Sequence, residues 1–270
     1  MTSSPFFSII TISFNQSPYI SEAIESVLAQ GFKSYEYIVQ DPGSSDGSRE
    51  IIATYSSSLI ISFEEDLGPA DGLNKAFSKA HGKYFLFLNS DDRLLPGALQ
   101  ILHDWIIRDN FAHDVYSGGC RIIDNRGQVL RRAYSDSMNL RRASYGQCIL
   151  IQPSTAFSAE SFVAVNGFNR HNTSNWDGEL FVDIALASFS FARTMRVLSD
   201  YRIHQRSITG SGSHQAAHKQ HANRMYKKIT QKHFSEYSSA LRRLYSLERK
   251  LLNPLDTFER AVHGPIYKSA

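Results

Sequence analysis

Across the first hundred residues, short unbroken apolar runs alternate with segments whose apolar positions recur at helical spacing. That order is expected of an α/β unit built on a mostly parallel sheet. Runs at 6–14, 35–40, 59–63 and 83–88 predict four strands. Between the first two, Ile20, Ala23, Ile24, Val27 and Leu28 share one face, predicting a helix over 18–29. Another helix opens near Ser48, and a third spans 69–80 before a stop at His81-Gly82. From 106 to 132 the pattern breaks into short strands and turns, with Gly118-Gly119 and Asn125-Arg126-Gly127 as punctuation, and predicts a β-rich insertion. A short helix over 159–165, a turn at Asn166-Gly167-Phe168 and a helix from Asp177 to 189 follow. Beyond 213, Met225, Ile229, Tyr237, Leu241, Leu244 and Leu251 recur at three-, four- and seven-residue steps among Lys and Arg. This predicts a basic amphipathic helix or helix pair over 213–270.

Length and composition narrow the class. A chain of 270 residues with 42% apolar and 20% charged residues can bury a sizeable core and needs no disordered stretches. Its longest apolar runs fall far short of the roughly 20 residues of a spanning helix. The opening MTSSPFFSII has neither a basic flank nor a small-residue cleavage site, so a cytoplasmic location is expected. Cys120 and Cys148 are too few for a disulfide framework and are expected as buried thiols. The net charge of +3 is unevenly spread: residues 214–252 hold nine Lys or Arg against two Glu. Such a segment can rest on an anionic membrane surface, pack inside the chain, or pair in a homodimer. No nucleic acid partner is expected.

The candidate chemistry sits where the predicted parallel strands end. Ligands of open α/β sheets lie outside the carboxyl ends of the strands, and the polar clusters after strands one, two and four fall there. Asp91-Asp92 follows an apolar strand, and adjacent carboxylates raise each other's pKa unless a cation is present. Mn²⁺ or Mg²⁺ prefers one or two carboxylates with phosphate oxygens and water; a solvated turn ahead of Pro96 is the structural alternative. Asp41, in Asp-Pro-Gly-Ser, can accept from the imide N–H of uracil or the N–H edge of guanine, or simply make a turn. Asp46 and Ser48 are expected as caps of the next helix. Asp71, Asn74 and Lys75 share a helical face, where Lys75 could meet phosphate or pair with Asp71. Asp177 and Glu179 open a helix, suited to a general base or to capping, with Trp176 beside them. His204 is a third metal-ligand candidate or a structural histidine.

Taken in order, these segments resemble the family 2 glycosyltransferases of the GT-A fold. The resemblance covers residues 5–210. Residues 8–15 resemble the family's first strand and turn, with Phe14 and Asn15 at the base. Residues 38–48 resemble its Asp-x-Gly-Ser-x-Asp-Gly segment, which makes Asp41 the base-binding aspartate. Residues 65–75 are similar to the stretch that closes over the nucleotide. Phe87-Leu88-Asn89-Ser90-Asp91-Asp92 looks like the metal motif with its leading aspartate replaced by Asn89. Gln152-Pro153-Ser154-Thr155 and 165–169 resemble the acceptor side of bacterial polysaccharide enzymes, and Tyr201-Arg202-Ile203-His204 the later Arg-x-His segment. The resemblance implies an inverting transferase, with residues 1–105 binding a nucleoside-diphosphate sugar, a UDP-sugar by expectation, and 106–212 forming the acceptor and catalytic half. It implies Asp177, with Glu179 second, as catalytic carboxylates. Phe14, Asn15, Asp41, Asp71, Lys75, Asn89, Ser90 and Asp91 are implied on the donor, and Asp91, Asp92 and His204 on Mn²⁺ or Mg²⁺. The acceptor would be a saccharide or lipid-linked saccharide of a surface polysaccharide, at the inner face of the plasma membrane. The rival readings are a nucleotidyltransferase, which would need a basic Gly-rich loop that residues 13–17 lack, and a nucleotide-sugar-binding protein without activity.

Overall fold

In a computed structural model, residues 4–205 and 215–264 are described. The predicted alternation is present as β1 (Phe7–Ile12), α1 (Ile20–Leu28), β2 (Tyr35–Gln40), α2 (Ser48–Thr54), β3 (Ile60–Ser62), α3 (Pro69–Phe77) and β4 (Tyr84–Asn89). β3, β2, β1 and β4 lie side by side in that order, all parallel. Their side chains explain why the runs are unbroken. Ile9, Val39, Leu86 and Leu88 point into one core with α1, while Ile10, Ile38, Phe85 and Phe87 point into a second core with α3. A strand buried on both faces has no polar side to alternate with.

The remainder of the sheet departs from the sequence reading. After β5 (Arg93–Leu94), the helix α4 (Ala98–Arg108) buries Leu99, Leu102 and Ile106 in the first core, a helix that the pattern analysis passed over. The expected β-rich insertion is instead a central part of the sheet. β6 (Val115–Ile123) pairs with β7 (Val129–Tyr134), with β8 (Thr155–Ser158) and with the long β9 (Phe191–Arg202), and β8 joins this half to β4. Gly118 and Gly119, read as a turn, lie inside β6. A Cβ on Gly118 would stand 2.9 Å from the Arg196 carbonyl oxygen, and one on Gly119 2.7 Å from that of Ala133. The two glycines let neighbouring backbones close in at a register shift between β6 and β9. β9 was not foreseen, because its first seven residues are half-buried or exposed and carry no two-residue alternation.

Six more helices follow among the described residues: α5 (Leu140–Ser144), α6 (Ala159–Ala164), α7 (Trp176–Leu186), α8 (Gln215–Thr230) and the pair α9 (Ser239–Leu252) and α10 (Pro254–His263). The last three form the expected basic extension. Rings of Tyr145, Tyr226, Tyr237 and Tyr245 seat it on α5. Among the described residues no helix is long and apolar enough to cross a membrane. Cys120 is a buried free thiol as expected, and Cys148 a half-buried one.

The stop before β4 has a different cause from the one its sequence implies. Gly82 serves close approach rather than a left-handed cap: its N–H donates to Ser8 Oγ at 2.7 Å, and a Cβ there would stand 2.7 Å from the carbonyl carbon of Phe7. Backbone on the far side cannot yield. Gly82→Ala is therefore expected to cost about 1–3 kcal/mol, measured by urea unfolding. A midpoint within error of the parent would show that β1 and β4 can separate at no cost.

Candidate functional site

The carboxyl ends of β1, β2 and β4 open on one cavity of about 740 Å³, whose wall includes Phe14, Pro42, Asp66, Asn89, Asp91, Trp176, Asp177 and Arg202. Two stretches far apart in sequence, 89–92 and 175–177, thus share one hollow.

On the nucleotide side, two loops are sewn together. Asn15 sits in the left-handed region at φ 54°, where its Oδ1 accepts from Ser45 N at 3.0 Å and its N donates to Ser44 Oγ at 2.8 Å. Ser17 N donates to Asp46 Oδ2, and Ser48 N to Asp46 Oδ1, which hold the Asp46 carboxyl at about 2 against a burial effect that alone would raise it. Asp41 lies just behind the wall, fully buried. Its Oδ1 accepts from Gly43 N and Ser44 N at 3.0 and 2.8 Å, and its Oδ2 from Ser44 Oγ at 2.6 Å. Phe14 stands at the rim with 61% of its surface exposed, an aromatic face with nothing stacked on it in the described ring contacts.

Asp71 and Lys75 do not reach the cavity. Lys75 Nζ lies 3.3 Å from Asp71 Oδ2 and donates to the Glu65 carbonyl, while Leu67 N donates to Asp71 Oδ2 at 3.1 Å. The expected contact of Lys75 with phosphate is thus replaced by a clamp on residues 65–67, part of whose loop does line the cavity. Asn74 is also structural: its amide exchanges two 2.8 Å hydrogen bonds with the backbone of Phe168. Asp66, which sequence reasoning missed, lines the wall, with a carboxyl raised by burial.

At the end of β4 the two aspartates diverge. Asp91 Oδ2 lies 3.0 Å from His204 Nε2. Asp92 is fully buried and accepts from the Arg202 backbone N at 2.8 Å and from Asn89 Nδ2 at 3.4 Å. Burial and the neighbouring Asp91 push its carboxyl well above the usual range. Both aspartates line the cavity, but one oxygen of Asp92 is already committed to the Arg202 backbone. No group of three or more His, Cys, Asp or Glu among the described residues is arranged to hold a metal ion. Asp91 and His204 alone still suit a hard divalent ion, which takes one or two protein ligands and completes its shell with phosphate and water. Ser90 is buried beside them on the wall. Asn89 Nδ2 also donates to Gln152 Oε1 at 3.1 Å, so Gln152, quoted only as part of a motif, orients the residue standing where an aspartate was expected. Arg202, likewise unassigned before, donates from Nε to the Asp91 carbonyl at 2.8 Å and from Nη2 to Glu22 Oε2 at 2.7 Å, with Tyr19 packed on the guanidinium.

At the start of α7 the two candidate bases separate. Asp177 lines the cavity half-buried in the first turn of α7, and burial raises its carboxyl although the Gly178 and Asp177 N–H groups oppose the shift. Glu179 faces away from the cavity. It takes Arg224 Nη2 at 2.7 Å, Lys228 Nζ at 2.9 Å and Asn172 Nδ2 at 2.7 Å, joining α7 to α8. Its second-base role is thus replaced by an anchor. Asn175, in the left-handed region ahead of α7, meets His221 Nε2 on α8 at 2.7 Å.

Residues 8–165 match the profile of glycosyl transferase family 2, more than half of the chain. The protein therefore belongs to that family. A curated relative from Escherichia coli, the UDP-Glc:α-D-GlcNAc-diphosphoundecaprenol β-1,3-glucosyltransferase WfgD, is 34% identical over 124 residues, 45% of this chain and 48% of that protein. Among solved structures, S. aureus TarS 1–349 in complex with UDP-GlcNAc superposes with a TM-score of 0.69 at 18% identity, covering 94% of this chain and 74% of that one. The mannosyltransferase PcManGT from Pyrobaculum calidifontis, in complex with GDP-Man and Mn²⁺, gives 0.64 at 19% identity, covering 97% and 74%. Both likenesses define the fold, and it is GT-A. In a match of 242 residues to a curated relative from Rickettsia bellii, this chain spans 34% of the relative's length.

The Glu179 anchor makes a pH prediction. Burial would raise this carboxyl, but hydrogen bonds from Arg224, Lys228 and Asn169 hold it at about 2. A carboxylate held below its unfolded value of 4.5 adds stability that is present above pH 4.5 and lost as pH falls toward 2. Glu179→Gln is expected to destabilise by about 3 kcal/mol at neutral pH, with the gap to the parent closing between pH 4.5 and 2 in denaturant titrations. The same gap at pH 7 and pH 2.5 would assign the loss to packing instead of charge.

Proposed function

We infer that this protein is an inverting glycosyltransferase that moves a sugar from a nucleoside diphosphate, UDP by preference, onto an acceptor hydroxyl of a saccharide or lipid-linked saccharide in surface-polysaccharide synthesis. The observation that carries this reading is one cavity at the strand ends whose lining includes both Asp91 and Asp177. Membership of family 2 supports the reaction class, and the diphosphoundecaprenol acceptor in the name of WfgD supports the acceptor class.

Residues 1–105 would hold the donor. The exposed ring of Phe14 offers a stacking face for the base. Asp41 Oδ2 accepts one hydrogen bond, from Ser44, and retains capacity for the imide N–H of uracil. Asn15 keeps the shape of that loop, Asp71 and Lys75 keep the 65–67 loop in place, and Asn89 and Ser90 face the sugar diphosphate. Mn²⁺ or Mg²⁺, held by Asp91 with His204, would neutralise charge on the diphosphate. Residues 106–212 would present the acceptor to Asp177. Its half-buried carboxylate, made more basic by burial, takes the proton of the acceptor hydroxyl. The acceptor oxygen forms its bond to the anomeric carbon from the face opposite the diphosphate. The bond from that carbon to the phosphate oxygen breaks, and its electron pair leaves with the nucleoside diphosphate, which inverts the centre. We place the reaction in the cytoplasm, at the inner face of the plasma membrane where a lipid-linked acceptor would be met.

Two substitution experiments test this. Asp177→Asn is expected to keep donor binding in calorimetry while transfer falls by about 10²–10⁴-fold; undiminished transfer would move the base elsewhere. Asp91→Ala is expected to abolish the Mn²⁺-dependent part of UDP affinity at an unchanged melting temperature. Asp92→Ala should instead lower stability by about 1–3 kcal/mol, because it leaves the Arg202 N–H unpaired. The reverse outcome would make Asp92 the metal ligand and Asp91 the structural one.

A further inference from the structure

The C-terminal helix pair is attached to the body through its polar side. Asn253, buried at the junction of α9 and α10, donates to the Tyr134 carbonyl at 3.0 Å and to Asp136 Oδ1 at 2.8 Å. Arg249 pairs with Asp136 at 2.6 Å and with Asp256 at 3.0 Å, and Asp256 also accepts from Tyr134 N. The apolar side faces out. Leu244, Leu247 and Leu251 on α9 are 56%, 58% and 81% exposed, and Leu255, Phe258 and Val262 continue the row on α10 at 45%, 63% and 57%. Both rows follow three- and four-residue steps, so each forms one stripe. A surface helix ordinarily turns such a stripe inward and its charges outward. Here the order is inverted, and exposed large apolar residues in a contiguous row call for a partner.

The neighbouring charges point to the partner's chemistry. Arg242, Arg243 and Lys250 are exposed on α9 and enter no ion pair among the described residues. By helical angle Arg243 and Lys250 lie along one flank of the leucine row, and Arg242 on the far side of the helix. A second copy meeting this face about a twofold axis would bring the same cations against each other. An anionic lipid surface would neutralise them while the leucines and phenylalanine enter the acyl boundary. The basic segment predicted from composition also divides here. Residue 214 lies outside the described residues, and α8 is committed within the chain: Met225 and Tyr226 are buried, while Arg224 and Lys228 hold Glu179 and Asp183.

We propose that α9 and α10 form an interfacial anchor that lies on anionic phospholipid, with the row from Leu244 to Val262 inserted and Arg243 and Lys250 on headgroup phosphates. The anchor extends the proposed lipid-linked acceptor, but its measurement needs neither sugar nor acceptor, so the two readings fail separately. The test is flotation of the full chain with phosphatidylglycerol–phosphatidylethanolamine vesicles and with pure phosphatidylcholine vesicles. Leu247→Ser with Leu251→Ser is one variant, Arg243→Ser with Lys250→Ser another, and melting temperatures check that both remain folded. The parent should float with the anionic vesicles and much less with the neutral ones. The leucine variant should lose at least about tenfold in partitioning, since each buried leucine is worth about that much. The cation variant should lose the preference for anionic lipid. No flotation of the parent would overturn the anchor, as would equal flotation of parent and leucine variant. A concentration-dependent dimer that the leucine substitutions abolish, without lipid binding, would overturn it in favour of self-association.

Discussion

A charged side chain removed from water persists only where every donor finds an acceptor, and Arg202 sets that condition for the site. Only 2% of its surface is exposed. Its Nε reaches the Asp91 carbonyl, its Nη2 reaches Glu22 on α1, its Nη1 lies 3.4 Å from the carbonyls of Asp124 and Asn125, and the Tyr19 ring packs on its face. Its own backbone N is the donor that Asp92 accepts. One residue at the end of β9 thus ties the loop after β4 to the first helix and to the hairpin between β6 and β7. Leaving any of these partners out would strand a buried charge, which is far costlier than the net gain from forming the pair. The position of Asp91 is therefore set by the strand ahead of it and by a guanidinium 111 residues away in sequence.

The same logic separates two aspartates that adjoin in sequence. Both line the cavity, but Asp92 is fully buried and accepts from backbone, while Asp91 meets His204. In the first turn of α7, two acids take different parts for a related reason. Glu179 is drawn onto Arg224 and Lys228 of α8, and its carboxyl is held low. Among the described residues no such cation pairs with Asp177, and burial leaves its carboxyl raised. The C-terminal extension shapes the site from behind: α8 grips α7 through Glu179 and Asp183 and meets Asn175 through His221.

The first four strands and the helices between them were legible in the chain because each carries its own signal. A run such as residues 83–88 is buried on both faces, and the spacing of Ile20, Ala23, Ile24 and Val27 closes one helical face. The position of the polar clusters at the strand ends was legible for the same reason, since parallel strands deliver their carboxyl ends to one edge. Where the chain doubles back antiparallel, local signal fails. Gly118 and Gly119 have the composition of a turn but serve the close approach of β9 and β7, strands contributed by other parts of the chain.

What the sequence by itself determined, then, is the parallel half of the sheet, the family-like order of motifs and the presence of acids at Asp91 and Asp177. Those features depend on periodicity and on residue type within a few positions of one another. Only the tertiary structure decided which of the candidate side chains are already claimed within the fold. Asp92, Glu179, Asp71 and Lys75 have the residue types of ligands, and each is claimed by a backbone group or a counter-charge brought near by folding. The outward row of leucines on α9 is of the same kind. Helical spacing shows that a stripe exists, but which way it faces depends on Asn253, Arg249 and Asp256 finding partners around Tyr134 and Asp136 on the body.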